Sequence, residues 1–396
     1  TSKCTLYLYI IIISSIGYGQ AADSLVLGPE VFMSIVRQNH PVSQQANLQV
    51  EKGDAALLKA KGSFDPKIGT GIDQKYFDDK QYYSLIDAGV KIPTLPGVEI
   101  KAGYSQSDGS FLNPENRLPS SGLFYGGITV PIGQGLFIDA NRTNLRQARV
   151  YQEATQSERQ VMLNTLMYEA AYAYWNWFVS FHQLGVYEEA LTLAEDRFLA
   201  VKEYAKFGDK PFIDTLEAFI QVQNRQIDYQ SGLLNFTQRT LELENYVWEE
   251  SGPAQLNRET IPIEIANASN LSFQSQMVYQ AIDSNMINHP YLQLLGFEIE
   301  QLEIEQRWKK EQLKPTLDLH YQPLLETGFG EENIAFNPAN YKWGLTFSMP
   351  VFLRKERGAI ALGNIKILET NQKLRNLNQQ LLNKARFAWE SWNNLQ

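Results

Sequence analysis

The sequence predicts a mixed α and transmembrane β fold, in which barrel strands continue into very long helices, with a twofold internal repeat. Three observations predict it. A segment of about 70 residues lacks helix breakers, two regions alternate apolar and polar residues, and one pattern of helix starts and prolines occurs twice. The 396 residues carry a net charge of −9, which excludes a nucleic-acid partner because such a partner requires a basic face.

Residues 1–19 have the features of a secretory signal peptide. Lys3 precedes an apolar run from Leu6 to Ile13, and small residues follow that run. A buried N-terminal strand or a short membrane anchor is the alternative, but the run is too short to span a bilayer. Cys4 is the only cysteine and precedes the run, so cleavage leaves a mature chain without disulfides or thiol chemistry.

Short helices follow the signal, and one of them has a counterpart later in the chain. The first two are predicted at Leu27–Gln38 and Val42–Lys61, and the counterpart at Tyr291–Leu313. His40 and His289 each stand before a proline at a helix start and are 249 residues apart. We interpret this correspondence as a duplication, and we expect both histidines to be boundary residues and not metal ligands.

The pattern changes from helical to alternating after Pro66 and after Pro315, which are also 249 residues apart. A soluble sheet shows the same alternation, but runs of nearly ten residues with aromatic ends favour lipid-facing barrel strands. The first region is longer, so either two extra strands join the sheet or they form an outward hairpin. The side chains predicted to face lipid in the last strand are Tyr341, Trp343, Leu345, Phe347 and Met349.

The segment Ile138–Phe207 predicts one continuous helix, about 100 Å long at 1.5 Å per residue. Gly208 and Pro211 interrupt the pattern, and a second helix over Phe212–Trp248 is expected to return antiparallel to the first. An aromatic cluster in the long helix is expected to pack between helices. Its members are Tyr172, Tyr174, Trp175, Trp177, Phe178 and Phe181.

These patterns divide the chain into eight segments. They are the signal peptide (1–19), N-terminal helices (20–65), a first β-barrel segment (66–131), a long helical hairpin (132–250), an equatorial linker (251–273), second-repeat helices (274–314), a second β-barrel hairpin (315–350) and a second long helix (351–396). The last helical pattern stops at Gln396 without a cap, and we interpret the sequence as truncated within its second repeat.

Neither the strands nor the helices are complete within one chain. Four to six strands cannot close a membrane barrel, and an unpaired strand edge in lipid costs several kcal/mol per unsatisfied group. A helical hairpin of this length has no core without neighbours along its flanks. Identical copies are therefore expected to complete both the barrel and the helical bundle.

In the order and spacing of its motifs, the chain after the signal resembles the TolC-type outer membrane efflux protein family. The motifs are Asn39-His40-Pro41, Asn288-His289-Pro290, the prolines Pro66, Pro131, Pro315 and Pro350, and the tip residues Tyr204, Gly208, Asp214, Leu216 and Ala218. The resemblance implies a homotrimer with a twelve-stranded barrel in the outer membrane and an α-helical barrel through the periplasm. It also implies a passive export duct in a tripartite efflux or type I secretion system.

The partners that the resemblance implies are a periplasmic adaptor (membrane fusion) protein and an inner-membrane pump. The five tip residues are candidates for the adaptor contact. Alternatively, Asp214, Leu216 and Ala218 only shape the turn and seat Phe212 and Ile213 in the hairpin. No catalytic or cofactor-binding residue is expected, because the sequence has no metal-ligand spacing, phosphate loop or nucleophile elbow.

Two other classes of protein are weighed against the duct. A structural coiled-coil protein of the cell surface or periplasm would show continuous heptads and no lipid-facing strands, and the aromatic strands oppose it. A secreted hydrolase with a helical domain would need a convergent catalytic set, which we do not find. The net charge favours a duct whose lumen attracts cations, although the sequence does not determine which carboxylates face inward.

Overall fold

The computed structural model describes residues 26–249, 251–256, 260–264, 286–325 and 337–395. The predicted signal peptide lies outside these residues, as does much of the predicted linker. Six α-helices are formed within them. They are α1 (Pro29–Asn39), α2 (Pro41–Lys61), α3 (Ala140–Lys206), α4 (Phe212–Glu244), α5 (Pro290–Glu311) and α6 (Arg354–Leu395).

The large strands fall where the alternating patterns predict them, and four strands of two residues each are formed in addition. They are β1 (Val26–Leu27), β2 (Lys67–Phe77), β3 (Lys80–Pro93), β4 (Glu99–Asp108), β5 (Leu123–Pro131), β6 (Trp248–Glu249), β7 (Gly252–Pro253), β8 (Ile261–Pro262), β9 (Thr316–Leu325) and β10 (Tyr341–Ser348).

The long helix and its return partner are confirmed with shifted ends. Helix α3 has 67 residues and begins after Asp139, whose carboxylate accepts hydrogen bonds from the backbone and side chain of Arg142. The return helix ends at Glu244, four residues before the predicted end at Trp248, because Trp248 belongs to the short strand β6. Similarly, α1 begins at Pro29 because Leu27 pairs in β1.

One compact unit is formed by the described residues of Thr1–Ser43 and Thr165–Ser272. Its apolar core joins α1, α3 and α4 around residues without solvent exposure, including Phe32, Trp177 and Leu243. The predicted packing of the aromatic cluster is confirmed for its buried members and is wrong for Tyr172 and Trp175, which are exposed. The hydroxyl of Tyr174 donates to the carbonyl of Leu27, with an O–O distance of 2.8 Å. This bond secures β1, which pairs in parallel with β8.

Helices α3 and α4 approach closely at one glycine. A Cβ added to Gly232 would lie 2.5 Å from Cδ2 of Tyr187. Aromatic pairs stabilise the contact on either side of it, between Phe181 and Phe236 and between Phe198 and Phe219. Many apolar side chains on the flanks of the hairpin remain exposed, among them Leu193 and Leu234. The hairpin therefore leaves part of its apolar surface uncovered.

The second compact unit is formed by the described residues of Gln44–Asn164 and Phe273–Gln396. Its six large strands form one antiparallel sheet in the order β10-β9-β5-β4-β3-β2. Both additional strands of the first β region join this sheet, and the outward hairpin that the sequence left open is not formed. The twelve-stranded barrel that the resemblance implies requires four strands per chain, so it does not agree with the six observed here.

Small residues and amides hold the helices of the second unit together. Gly53 of α2 lies against α3, where an added Cβ would be 2.8 Å from Oγ1 of Thr155. The Gln306 amide of α5 donates to the Ile360 carbonyl and to Oδ1 of Asn364 in α6. A Cβ at Gly363 would collide with Gln306, so this buried bond depends on glycine at position 363.

Candidate functional site

The sheet has one continuous apolar face. Residues that pair directly across strands point to the same side of a sheet, so the register determines which side chains share a face. That face collects Ile68 and Ile72 of β2, Ile86, Val90 and Ile92 of β3, Ile100, Ala102 and Tyr104 of β4, Phe124, Ile128 and Val130 of β5, Leu317, Leu319 and Tyr321 of β9, and Trp343, Leu345 and Phe347 of β10.

The side chains predicted to face lipid lie on this face and are exposed in the single chain. Trp343 and Phe347 retain 63% and 64% of their accessible surface, and Tyr341 and Leu345 retain about half. Met349 lies one residue beyond the end of β10 and is also exposed. A large exposed apolar patch on a sheet is typical of a surface that contacts lipid or another protein.

The opposite face of the sheet is polar and hydrogen-bonded across strands. The imidazole of His320 lies between the hydroxyls of Thr129 and Thr346, at 3.0 Å and 3.4 Å. The hydroxyl of Tyr125 donates to the carboxylate of Asp87 at 3.2 Å. One apolar and one polar face is the arrangement of a sheet that separates lipid from a water-filled lumen.

Both margins of the sheet are open. Strands β2 and β10 are the outermost strands, and no strand among the described residues pairs with their outer edges. Such edges expose unpaired backbone N–H and C=O groups and can template pairing with another chain. Each margin of the sheet can therefore accept a further strand.

The tip of the α3–α4 hairpin is a tight turn. Gly208 adopts a φ of +84°, which favours glycine, and the backbone N–H of Asp209 donates to the carbonyl of Tyr204 at 3.0 Å. Together with the bond from Gly208 N to Ala205 O, this forms a Schellman motif that ends α3. The predicted role of Gly208 in terminating the helix is confirmed.

The structure separates the five candidate tip residues into two groups. Tyr204, Gly208 and Leu216 are exposed, whereas Ala218 is buried and Asp214 is half-buried beside a cavity of about 370 Å³. The idea that these residues seat Phe212 and Ile213 in the hairpin is wrong for the single chain. Phe212 retains 84% of its accessible surface and Ile213 retains 59%.

Three exposed apolar side chains, Phe207, Phe212 and Ile213, join the tip surface beyond the five residues proposed from sequence. Phe207 and Phe212 flank the turn, and both are exposed. Phenylalanines on either side of a turn rich in Gly, Asp, Lys and Pro are unusual in sequence, and this signal could have identified them. We define the tip surface as Tyr204, Phe207, Phe212, Ile213 and Leu216.

His40 and His289 are confirmed as boundary residues at helix starts. The Nδ1 atom of His40 accepts a hydrogen bond from the backbone N–H of Val42, and His289 accepts one from Tyr291 in the same way. The His40 ring also stacks on Tyr246 with a centroid distance of 5.8 Å. Both hydrogen bonds require a neutral imidazole, because only an unprotonated ring nitrogen can accept a hydrogen bond.

Burial lowers the pKa of His40 below its ordinary value of 6.5, and a backbone hydrogen bond to Asn245 opposes this shift in part. Because the folded pKa is the lower one, the unfolded chain takes up its proton first as the pH falls. The contribution of His40 to stability is therefore complete above pH 6.5 and is lost as the pH falls through the folded pKa.

Replacing His40 with asparagine keeps a capping acceptor and removes the titration. We expect the melting temperature of the His40→Asn variant to fall less than that of the wild type between pH 8 and pH 5. Thermal unfolding of both proteins in the same detergent at the two pH values measures this difference. If the melting temperatures of both proteins fall by the same amount, His40 does not contribute to the acid sensitivity.

No group of three or more His, Cys, Asp or Glu side chains among the described residues is arranged to hold a metal ion. None of the helices within the described ranges combines the length and apolar character needed to cross a bilayer.

Comparison with solved structures shows that the chain has the fold of outer membrane channels. It matches the CmeC outer membrane channel of Campylobacter jejuni with a TM-score of 0.56 and 11% identity, over 98% of this chain and 80% of that one. It matches the outer membrane protein VceC of Vibrio cholerae with a TM-score of 0.60 and 13% identity, over 93% and 79%. The open state of the MtrE outer membrane channel of Neisseria gonorrhoeae gives a TM-score of 0.54 and 12% identity, over 93% and 77%. No protein-family model and no curated protein matches the sequence.

Proposed function

We propose that this chain is a member of the TolC-type outer membrane efflux protein family and forms a passive export duct from the periplasm to the exterior. The observation that carries the proposal is a sheet with one exposed apolar face, one polar face and two open margins. A sheet of this kind is stable in a bilayer only as part of a closed barrel. The shared fold of the outer membrane channels supports the same conclusion.

Three copies of the chain complete the barrel in this proposal. Strand β10 of each copy pairs with β2 of the next, so three six-stranded sheets give eighteen strands. A barrel of that size encloses an aqueous channel, whereas eight-stranded barrels are filled by side chains. The exposed apolar residues of the α3–α4 hairpin are covered in the same assembly by the hairpins of neighbouring copies, which form the helical tunnel.

The twofold repeat is part of the proposal. Its support is that α2 and α5 start in the same way, with a histidine cap followed by proline, and that each runs into a strand after a proline. The two halves differ in the number of strands that they contribute, four in the first and two in the second. The extra strands enlarge the barrel without changing the order of the other elements.

The transport proposal is tested in cells and in membrane fractions. We expect the protein in the outer membrane fraction, with a trimer band that disappears on heating in detergent. Deleting the gene should raise the accumulation of dyes or drugs that the system exports. A protein recovered only in the soluble periplasmic fraction would exclude the duct, and it would favour the structural coiled-coil alternative.

The tip surface is proposed to contact a periplasmic adaptor, which connects the duct to an inner-membrane pump in a tripartite efflux or type I secretion system. Its exposed aromatic and aliphatic side chains resemble the apolar anchors that carry most of the binding energy in protein interfaces. The neighbouring cavity of about 370 Å³, lined by Val201, Lys210 and Asp214 among others, offers a mixed apolar and charged recess beside these anchors.

Replacing Leu216 with aspartate should weaken adaptor binding by about 1–3 kcal/mol, roughly five- to 150-fold, because it places an unpaired charge among apolar contacts. Leu216 is exposed in the single chain, so the change should not disturb the hairpin. Co-purification of the adaptor with the trimer measures the effect. Leu216→Met is the matched control, since it keeps an apolar side chain of similar size. Equal recovery of adaptor with both variants would remove Leu216 from the interface.

A further inference from the structure

A row of lysines crosses the polar face of the sheet. Lys67 of β2 pairs directly with Lys91 of β3, and Lys91 pairs directly with Lys101 of β4. Side chains at such positions have Cβ atoms about 5 Å apart on the same face. Three lysine side chains are therefore neighbours on one face of three consecutive strands.

The row continues to the far margin of the sheet. Lys101 pairs with Gly127 of β5, where an added Cβ would lie 3.2 Å from Cβ of Gln322 in β9. Gln322 in turn pairs with Lys342 of β10. The row thus contains four lysines, one glycine and one glutamine across all six strands, and none of its members carries a carboxylate.

The next row is almost free of side chains, which leaves a hollow beside the lysines. Gly69, Gly89 and Gly103 pair across β2, β3 and β4, and the ring of Tyr125 lies over the last two. A cavity of about 360 Å³ opens here, lined by Lys67, Lys91 and Lys101 together with these strands. The lysine side chains therefore border open space and not a packed surface.

Two carboxylates near the row are already engaged. Glu99 pairs with Lys101 at 2.9 Å. Asp87 lines the cavity and accepts hydrogen bonds from Ser105 at 2.7 Å and from Tyr125. In the row and the cavity beside it, four lysines stand against two carboxylates and leave an excess of positive charge there, although the whole chain is acidic. Asp73 and Asp318 lie on the same face farther along β2 and β9.

Like charges directly opposite one another destabilise a sheet. The row is therefore an unfavourable arrangement for folding unless anions occupy the space in front of it. Pores that select anions or phosphate groups are also lined by several lysine or arginine side chains. The other face of the same strands carries apolar side chains, so the lysines cannot serve as lipid-facing anchors there.

On the basis of the proposed duct, we propose that Lys67, Lys91, Lys101 and Lys342 form a cationic stripe on the lumen wall that selects anionic solutes. Barrel strands tilt by roughly 35–45° from the barrel axis, so a row of side chains along the hydrogen-bonding direction runs diagonally along the lumen wall. Three copies give three such stripes. This is the opposite of the cation preference suggested by the net charge.

The test uses the full-chain trimer in a planar bilayer, with the reversal potential measured across a KCl gradient. We expect the wild type to prefer chloride over potassium. The variant with Lys67, Lys91 and Lys101 all changed to glutamine should lose about tenfold in its chloride-to-potassium permeability ratio. The preference should also weaken between 0.1 M and 1 M KCl, where the Debye length falls from about 10 Å to about 3 Å.

Three single variants, Lys91→Glu, Lys91→Gln and Lys75→Gln, control for misfolding of the triple variant. Lys91→Glu reverses one charge in the centre of the row and should shift the ratio further than Lys91→Gln. Lys75→Gln removes a lysine that pairs with Tyr83, outside the row, and should change the ratio least. Inorganic tripolyphosphate should reduce the conductance of the wild type more than that of the triple variant.

The outcomes separate this proposal from the duct itself. A channel that conducts but prefers potassium, or a triple variant with the selectivity of the wild type, overturns the cationic stripe alone. A trimer that inserts without conducting overturns the duct and the stripe together.

Discussion

The Leu345→Arg variant is expected to be largely absent from the outer membrane as a heat-sensitive trimer. Leu345 lies on the apolar face of β10, retains about half of its surface in the single chain and pairs with Leu319 of β9. An arginine on the lipid side of a barrel strand costs about 2–4 kcal/mol near the bilayer centre. In the proposed trimer the change occurs three times, so its effect on assembly should be among the largest for a single substitution.

Thr346→Arg is the matched control, because the next residue of the strand points to the polar face. Its hydroxyl makes only a long contact of 3.4 Å with His320. We expect this variant to assemble at close to the wild-type level. The measurement is the amount of trimer in unheated gels of purified outer membranes. Equal assembly of the two variants would contradict the assignment of the apolar face to lipid.

The Trp177→Ala variant is expected to lose about 3–5 kcal/mol of stability. Trp177 has no solvent exposure and packs in the core that joins α1, α3 and α4, beside Tyr174. Truncation removes the largest fully buried side chain in the described part of the chain and leaves a cavity. We expect faster proteolysis near α1 and a lower melting temperature in detergent.

Trp177→Phe is the control for this change. Within the described residues, the indole N–H of Trp177 has no hydrogen-bond partner, so replacing it with a ring that lacks this donor relieves a buried polar group. The remaining loss of volume should cost less than about 1.5 kcal/mol. Alanine and phenylalanine variants with the same melting temperature would show that this core does not determine stability.

At the tip of the α3–α4 hairpin, local sequence predicts the turn but not the exposure of the side chains beside it. The Gly208 turn and the antiparallel return of α4 follow from local sequence, since a left-handed glycine and a following proline interrupt any helix. The exposure of Phe212 and Ile213 does not follow, because apolar residues beside a turn are equally compatible with burial between the two helices. Only the positions of both helices decide that these side chains point outward.

By itself, the sequence determined the type and order of the large elements. The 67-residue helix, its return partner, the caps at His40 and His289 and the alternation of β9 and β10 depend on residues a few positions apart. Backbone propensity and side-chain periodicity act over that range, so they can be read without a structure.

The tertiary structure alone decided which distant segments meet. It placed all four strands of the first β region in one sheet, joined Leu27 to Tyr174 across 147 positions, and aligned Lys67, Lys91, Lys101 and Lys342 in one row. Register depends on pairing between strands, and a shift of one residue would move every lysine to the opposite face. The physical reason is that these contacts form between residues far apart in the chain, where local propensity gives no preference among partners.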